Sequence, residues 1–280
     1  MTRTSGRRWL GLGGMFAAVA LAGTCMMAAP TSAQAAQYIY KDTYDTEWYV
    51  TEGWLDYVTD SRIMTGYTTG PDAGGFRPDA TITRGEVVTV LYRIANPDST
   101  ATTNPDDFAA TSGFDDGNYS YYWNAAIRWA SDKGIVTGYT SGPDAGKFCP
   151  DNPITRDELA VIVYRYAKTR GVTVDRPNLE SFNQLADREL FYAGQTSNFA
   201  FDAVKWVTSA GIMTGNKHGD DAPTFEPRAT ASRAQAAKVF SVLHRDVESA
   251  APAAQFDYII IEEMPDTPQG TWLSQEGVRY

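Results

Sequence analysis

The sequence predicts a mainly α protein: three helix-loop-helix repeats in a pseudo-threefold arrangement around a central three-helix bundle. Two observations carry this prediction. One peptide pattern returns three times in register, and each copy contains the same helix-start signal at the same place. A hydrophobic share of 43% and an aromatic share of 12% provide enough apolar surface for a folded core, which excludes a disordered chain.

The first 35 residues have the pattern of a secretory signal peptide. Three arginines in the first eight residues precede a long apolar run, and an Ala-Gln-Ala cleavage site ends at Ala35. We expect cleavage after Ala35 and a secreted protein. The alternative is a retained membrane anchor, since the apolar run is long enough to cross a bilayer.

The charge of the chain excludes two classes of partner. The formal net charge is −10, and loss of the three signal-peptide arginines takes it to −13. A chain this acidic is repelled by nucleic acid and by anionic lipid, so neither is an expected partner. Cleavage also leaves Cys149 as the one remaining cysteine, which excludes an intramolecular disulfide and a thiolate metal cluster.

Three copies of one unit fill most of the mature chain. The peptide from Ile63 to Tyr67 reads IMTGY, and the matching peptides 72 and then a further 77 residues downstream read IVTGY and IMTGN. The register continues without a gap through a Phe-x-Pro turn into the following helix. The predicted boundaries are residues 38–96 for repeat 1, 113–170 for repeat 2, 184–247 for repeat 3 and 248–280 for a C-terminal tail.

Each repeat begins with an aromatic-rich amphipathic segment that predicts a first helix. These segments run from Trp48 to Asp60, from Tyr122 to Lys133 and from Phe199 to Ala210. Gly134 and Gly211 follow where a helix takes a left-handed residue after its C-cap. Arg62 fills this place in repeat 1, which predicts a looser or a strained helix exit there. A loop rich in Gly, Pro and Asp comes next.

The second helix of every repeat begins with a capping box. The paired residues are Thr83 with Glu86, Thr155 with Glu158, and Ser232 with Gln235. Apolar residues at i, i+3, i+4 and i+7 then form one face of a helix. A single unit cannot bury both of its apolar faces, so we expect the three capped helices to pack together around a shared axis.

An arginine occupies the first position of each capped helix: Arg84, Arg156 and Arg233. A cation at a helix N-terminus costs about 0.3–1 kcal/mol, so its presence in all three copies needs a reason. One reason is an anion site formed by the guanidinium and the free amides of the helix start. The other is an ion pair within the protein, and the candidate partners are Asp42, Asp116 and Asp187.

These motifs together resemble the S-layer homology domain in three tandem copies, over about residues 38–247. The motifs are aromatic-x-Asp (Tyr40-Lys41-Asp42 and Phe114-Asp115-Asp116), Thr-Gly-Tyr, Phe-x-Pro and Thr-Arg-x-Glu. The resemblance implies a pseudo-trimeric spindle that holds a secreted protein non-covalently on the bacterial cell wall. The implied partner is a secondary cell-wall polysaccharide that carries pyruvate ketals, whose carboxylate the motif arginine contacts.

The resemblance also implies which residues bind. The three arginines are the anion contacts, and the loop residues that line the adjoining groove are Gly66, Tyr67, Gly138, Tyr139 and Gly215. Trp48 and Trp123 lie at helix starts and are candidates for stacking on sugar rings. In repeat 3, Gln235, Asn216 and Leu185 depart from the pattern, so the resemblance supports the first two grooves more strongly than the third.

We expect no catalytic residue, cofactor or metal site. The two histidines, His218 and His244, lie in one repeat, and neither a nucleophile elbow nor a calcium-loop motif occurs. One alternative function is an assembling surface-layer or adhesin protein whose tail recruits a partner. Another is a small cell-wall hydrolase with paired carboxylates, although about 34 residues outside the signal peptide and repeats are too few for an independent core.

Overall fold

A computed structural model describes residues 40–97, 113–116, 123–174, 177–217 and 219–248. The predicted signal peptide and the predicted tail after Glu248 lie outside these residues. Within them, no helix combines the length and the apolar character needed to span a membrane.

Short helices and turns connect three longer capped helices. The α-helices are α1 (Trp48–Thr51), α2 (Trp54–Asp60), α3 (Arg84–Ala95), α4 (Asn124–Asp132), α5 (Arg156–Thr169), α6 (Glu180–Asn183), α7 (Phe201–Ser209) and α8 (Arg233–Val242). Two 3₁₀ turns (Arg188–Phe191 and Asn198–Ala200) precede α7, and a π-helical segment (Leu243–Glu248) continues α8. The predicted mainly α class with three repeats is confirmed.

The predicted capping boxes begin α3, α5 and α8. In repeat 1, the Glu86 amide donates to Thr83 Oγ1 at 3.2 Å, and the Thr83 amide donates to Glu86 Oε2 at 2.9 Å. In repeat 3, the Gln235 backbone amide donates to Ser232 Oγ, and the Ser232 amide donates to the side-chain oxygen of Gln235. In repeat 2, the buried Asp157 carboxylate also accepts a hydrogen bond from the Glu158 amide, so Asp157 caps this helix together with Thr155. A neutral Gln therefore keeps the cap intact.

The exits of the first helices also follow the prediction. Gly134 and Gly211 are left-handed, with φ of 69° and 71°, and Arg62 takes the same conformation with φ of 60°. A non-glycine residue there costs about 1–2 kcal/mol, so the exit in repeat 1 is strained. The predicted first helix of repeat 1 is not continuous, because Gly53 at φ 76° separates α1 from α2.

Main-chain hydrogen bonds close the three repeats into a ring just before the capped helices. The Ile82 amide donates to the Ala231 carbonyl at 3.0 Å, the Ile154 amide donates to the Ile82 carbonyl at 3.1 Å, and the Ala231 amide donates to the Ile154 carbonyl at 3.0 Å. All three residues are fully buried. The ring therefore marks the pseudo-threefold axis.

Helix packing follows the same cyclic order. Helix α3 packs against α4, α5 packs against α7, and α8 packs against α2. Each capped helix thus covers the first helix of the next repeat, and the last repeat covers the first. The apolar face that a single repeat would leave exposed is buried by its neighbour.

Candidate functional site

The three aspartates proposed as arginine partners bind backbone amides instead. Asp42 accepts from the amides of Phe76 and Arg77 at 2.8 and 2.7 Å. The equivalent bonds run from Phe148 and Cys149 to Asp116, and from Phe225 and Glu226 to Asp187. Both oxygens of each carboxylate are thereby engaged, so the prediction that these aspartates pair with the arginines is wrong.

These aspartates hold an unusual turn in place. The middle residue of every Phe-x-Pro turn is left-handed, with φ of 57° at Arg77, 55° at Cys149 and 56° at Glu226. The sequence motif alone did not reveal this conformation, because three different side chains occupy the position. The two charge-assisted bonds from each aspartate offset the strain and fix the direction of the preceding Phe carbonyl.

That carbonyl accepts a hydrogen bond from the motif arginine of the preceding repeat. The Nε of Arg84 donates to Phe148 O at 2.8 Å, the Nε of Arg156 to Phe225 O at 2.7 Å, and the Nε of Arg233 to Phe76 O at 2.8 Å. Each arginine residue is only 5% exposed. The arginine of one repeat therefore faces the Thr-Gly loop of the next, an offset that the sequence did not indicate.

The backbone amides of the helix starts are not free to bind an anion. The Arg84 amide donates to the Asn152 carbonyl and the Gly85 amide donates to the Pro150 carbonyl, at 3.0 and 2.8 Å. The same two bonds recur in α5 and α8, and the capping side chains take the third amide. This corrects the predicted anion site. The helix-start amides already donate to carbonyls of the neighbouring repeat, so the guanidinium is the part of the predicted site that can still contact an anion.

Each arginine lines a groove, which we number by the repeat that supplies the Thr-Gly loop. Groove 1 is a cavity of about 400 Å³ lined by Thr65, Gly66, Tyr67, Glu86, Arg93 and Arg233. The Nη1 of Arg233 donates to Glu86 at 2.8 Å, and its Nη2 donates to Thr65 O at 3.0 Å. Tyr67 lies with its ring centroid 4.9 Å from this guanidinium, and its hydroxyl donates to Glu86 at 3.2 Å.

Groove 2 repeats this geometry in a cavity of about 480 Å³. The Nη1 of Arg84 lies 3.3 Å from Glu158, and its guanidinium lies 4.5 Å from the ring centroid of Tyr139. Burial raises the pKa of Tyr67 and Tyr139 above the usual value, partly opposed by the charge of the nearby arginine. Both hydroxyls therefore keep their protons at neutral pH.

Groove 3 is a cavity of about 540 Å³ lined by Trp48, Arg156, Gly215, Asn216, Lys217, Gln235 and Lys238. Gln235 stands where the other grooves have glutamate, so within the described residues no carboxylate lies within 4 Å of Arg156. The Asn216 side chain donates to Glu226 at 2.8 Å. Burial lowers the pKa of Arg156, opposed by the charges of Glu226 and Asp187, yet an arginine in a protein keeps its charge.

The predicted loop glycines lie where a side chain would not fit. A Cβ on Gly66 would lie 2.2 Å from the Tyr40 ring, and a Cβ on Gly138 would lie 2.8 Å from the Phe114 ring. The aromatic-x-Asp motif therefore has two tasks. Its aromatic ring packs under the loop glycine, and its aspartate holds the Phe-x-Pro turn. Leu185 takes the place of the ring beneath Gly215 in groove 3.

The two predicted tryptophans have different positions. Trp48 is 39% exposed and lines groove 3, beside the arginine of repeat 2. Trp123 is 7% exposed and packs in the core against Gly85, so the prediction that it contacts a ligand is wrong. Sequence reasoning missed Phe199, which is 57% exposed and lines groove 2. The sequence feature that could have identified Phe199 is its place as an aromatic residue at the start of the first helical segment of repeat 3, the repeat that follows the loop of groove 2.

Comparison with protein families decides the assignment. The profile of the S-layer homology domain matches residues 40–88, 113–160 and 194–237, just over half of the chain. The chain belongs to this family. Each match lies within one of the three predicted repeats.

Three curated relatives are similar over most of this chain. An endoglucanase of Bacillus sp. (strain KSM-635) is 28% identical over 71% of this chain, and a cellulosome-anchoring protein of Acetivibrio thermocellus is 25% identical over 75%. Cell surface glycoprotein 1 of the same species is 26% identical over 66%. The chain spans 18%, 41% and 7% of these relatives. Family and relatives confirm the predicted location at the cell surface or cell wall.

Proposed function

We propose that this protein anchors itself non-covalently to the bacterial cell wall by binding an anionic secondary polysaccharide in the grooves between its repeats. One observation carries the proposal: a buried, charged arginine lines every groove of a protein whose net charge is −10. Bulk charge would repel an anionic wall, so recognition depends on these local sites.

The composition of the grooves supports a sugar ligand that carries a carboxylate. Hydroxyl side chains surround the arginine, including Thr65 and Thr68 in groove 1 and Thr137 and Thr140 in groove 2. Hydroxyls suit the hydroxyl groups of a sugar, and a guanidinium suits one carboxylate. Exposed aromatic rings, Phe199 in groove 2 and Trp48 in groove 3, offer flat faces to a sugar ring. A pyruvate ketal on an amino sugar has this combination of groups.

A non-catalytic role suits the repeats better than a hydrolase. The alignment with the endoglucanase relative covers 200 residues, which are 18% of the length of that relative. A relative named as an anchoring protein is similar over an equally long part of this chain. Glu86 and Glu158 are occupied by capping and by arginine contacts, and Glu52 of groove 3 accepts a hydrogen bond from the Trp54 indole. The alternative of an assembling adhesin depends on the tail, which lies outside the described residues.

Sedimentation with purified cell walls tests the proposal. The protein should sediment with native walls of its own bacterium and lose most of this binding after mild acid removes ketal-linked pyruvate. A soluble pyruvate-ketal glycoside should compete for the native walls. Equal binding to stripped walls would overturn the carboxylate ligand, and failure to bind native walls would overturn anchoring. A cleared band in a wall-substrate zymogram would overturn the non-catalytic role.

A further inference from the structure

The three groove arginines are equal in burial but unequal in their partners. Arg84, Arg156 and Arg233 are each 5% exposed and each donate Nε to a Phe carbonyl. Arg233 and Arg84 then contact the capping-box glutamate of their groove at 2.8 and 3.3 Å. Because exposure is the same, the capping-box residue is the difference that acts directly on the guanidinium of each groove.

The guanidinium of Arg156 has unused donors that face groove 3. Among the described residues, Arg156 donates one hydrogen bond, from Nε to the Phe225 carbonyl at 2.7 Å. Every fully buried side-chain nitrogen in this part of the chain has a hydrogen-bond partner. The remaining N–H groups of Arg156 therefore reach the space of the groove that this residue lines.

Groove 3 keeps a positive lining through two lysines, where groove 2 has Arg165 and Arg228 besides Arg84. Lys217 stands at the repeat position of Thr140, and Lys238 at the position of Val161. Glu52, the acid that lines this groove, accepts a hydrogen bond from the indole of Trp54 at 2.7 Å. Glu226 accepts from Asn216 at 2.8 Å. Neither acid forms an ion pair with Arg156 within the described residues.

We propose that groove 3 is the strongest of the three sites for a carboxylate-bearing sugar, and that the third residue of each capped helix (Glu86, Glu158 or Gln235) sets the affinity of its groove. This inference rests on the proposed function. In grooves 1 and 2, a ligand carboxylate must compete with a glutamate for the same guanidinium and lies beside a like charge. In groove 3 a neutral amide stands in place of that glutamate, and among the described residues the terminal N–H groups of Arg156 have no acceptor. The charges of Glu226 and Asp187 act on Arg156 without forming an ion pair with it.

The chain offers matched variants for a test, because repeat 3 already shows that Gln keeps the capping box. Gln235→Glu adds the missing acid to groove 3. Glu86→Gln and Glu158→Gln remove the acid from grooves 1 and 2. Calorimetric titration would use a methyl glycoside of an N-acetylhexosamine with a pyruvate ketal, and the ketal-free glycoside as the blank. Thermal unfolding of each variant checks that it folds.

The wild-type protein should show one strong site per chain. Gln235→Glu should weaken this site about tenfold or more, the ratio expected for one hydrogen bond to a charged group. Glu86→Gln and Glu158→Gln should each add a second strong site.

An unchanged affinity in Gln235→Glu would overturn the proposal, as would three equal sites in the wild-type protein. In both cases the proposed anchoring function would stand, because the ligand still binds. Failure of the wild-type protein to bind the ketal glycoside and native walls would instead overturn the proposed function. If Glu86→Gln and Glu158→Gln fail to fold, Gln235→Glu alone decides, since it adds an acid that two other repeats already accommodate.

Discussion

Grooves 2 and 3 share one backbone framework and differ in where their charges lie. In both, an aspartate holds a left-handed turn, and the carbonyl before that turn accepts from an arginine of the preceding repeat. Groove 2 pairs its arginine with Glu158, whereas groove 3 has Gln235 at the same place. Departure from a family pattern is therefore not the same as loss of a site.

The shared framework has a larger energetic role than the residues that differ. The turn, the aspartate and the arginine connect two repeats through hydrogen bonds to charged groups in buried surroundings, where such bonds are strongest. The acid at the capping box lies at the edge of this framework. Its loss in repeat 3 leaves the cap and the arginine in place.

Removing an aspartate clamp should have the largest effect. Asp187→Ala and the matched Asp42→Ala each leave two backbone amides without a charged acceptor, and we expect each to lower the free energy of unfolding by about 3 kcal/mol. Urea unfolding measures this loss. Asp187→Ala should also abolish the strong binding of groove 3, because the Phe225 carbonyl no longer holds Arg156.

Asp42→Ala should retain that strong binding, since it acts on groove 1. Loss of the strong site in both variants would contradict the independence of the grooves. Wild-type stability in either variant would contradict the clamp.

Replacing single arginines should separate binding from stability. Arg156→Met and Arg84→Met keep the apolar stem and lose the bond to the Phe carbonyl, so each should cost about 1–2 kcal/mol of stability. Arg156→Met should weaken binding of the ketal glycoside about tenfold or more, and Arg84→Met should weaken it less. Calorimetry and thermal unfolding on the same samples measure both quantities. Equal binding losses would remove the distinction between the two grooves.

Alkaline pH should lower the free energy of unfolding through the tyrosines of grooves 1 and 2, whereas groove 3 has an asparagine at this position. This is the smallest effect of the three experiments. Because burial raises the pKa of Tyr67 and Tyr139, the unfolded state loses these protons first as pH increases. Their contribution to stability is therefore complete below about pH 10 and falls as pH rises through the raised values.

Tyr139→Phe should flatten this decline by at most about 1.4 kcal/mol per pH unit. Burial also raises the pKa of Tyr49 to about 12, so part of the decline should persist. Asn216→Ser in groove 3 serves as the control and should leave the slope unchanged. A steeper decline in Tyr139→Phe would contradict the sign of the shift.

Local signals in the sequence predicted the local structure well. The capping boxes, the left-handed exits at Gly134 and Gly211 and the strain at Arg62 each depend on residues a few positions apart. Propensity and hydrogen-bond chemistry act over that distance, so one copy of the repeat was enough to predict them.

The contacts between repeats were harder to predict. The partner of Arg84 is Phe148 O, 64 residues away, and a repeat sequence does not state whether a unit contacts itself or its neighbour. The charge of Asp116 and its place just before the first helix predict an ion-pair partner, but its carboxylate accepts hydrogen bonds from two amides of a strained turn. Trp123 looked like a groove residue by its place at a helix start, and packing against Gly85 buries it.

The closed ring of Ile82, Ile154 and Ala231 has a consequence for how such proteins evolve. In an open array, a terminal repeat can be gained or lost while the others stay folded. In this ring, deletion of any single repeat would remove both a donor and an acceptor from the two that remain. We therefore expect the triplet to be inherited as one unit, in which each copy has neighbours on both sides. Under the proposal for groove 3, we expect a new ligand preference to arise from substitutions at single positions within the copies, such as Gln235, and not from the shuffling of repeats.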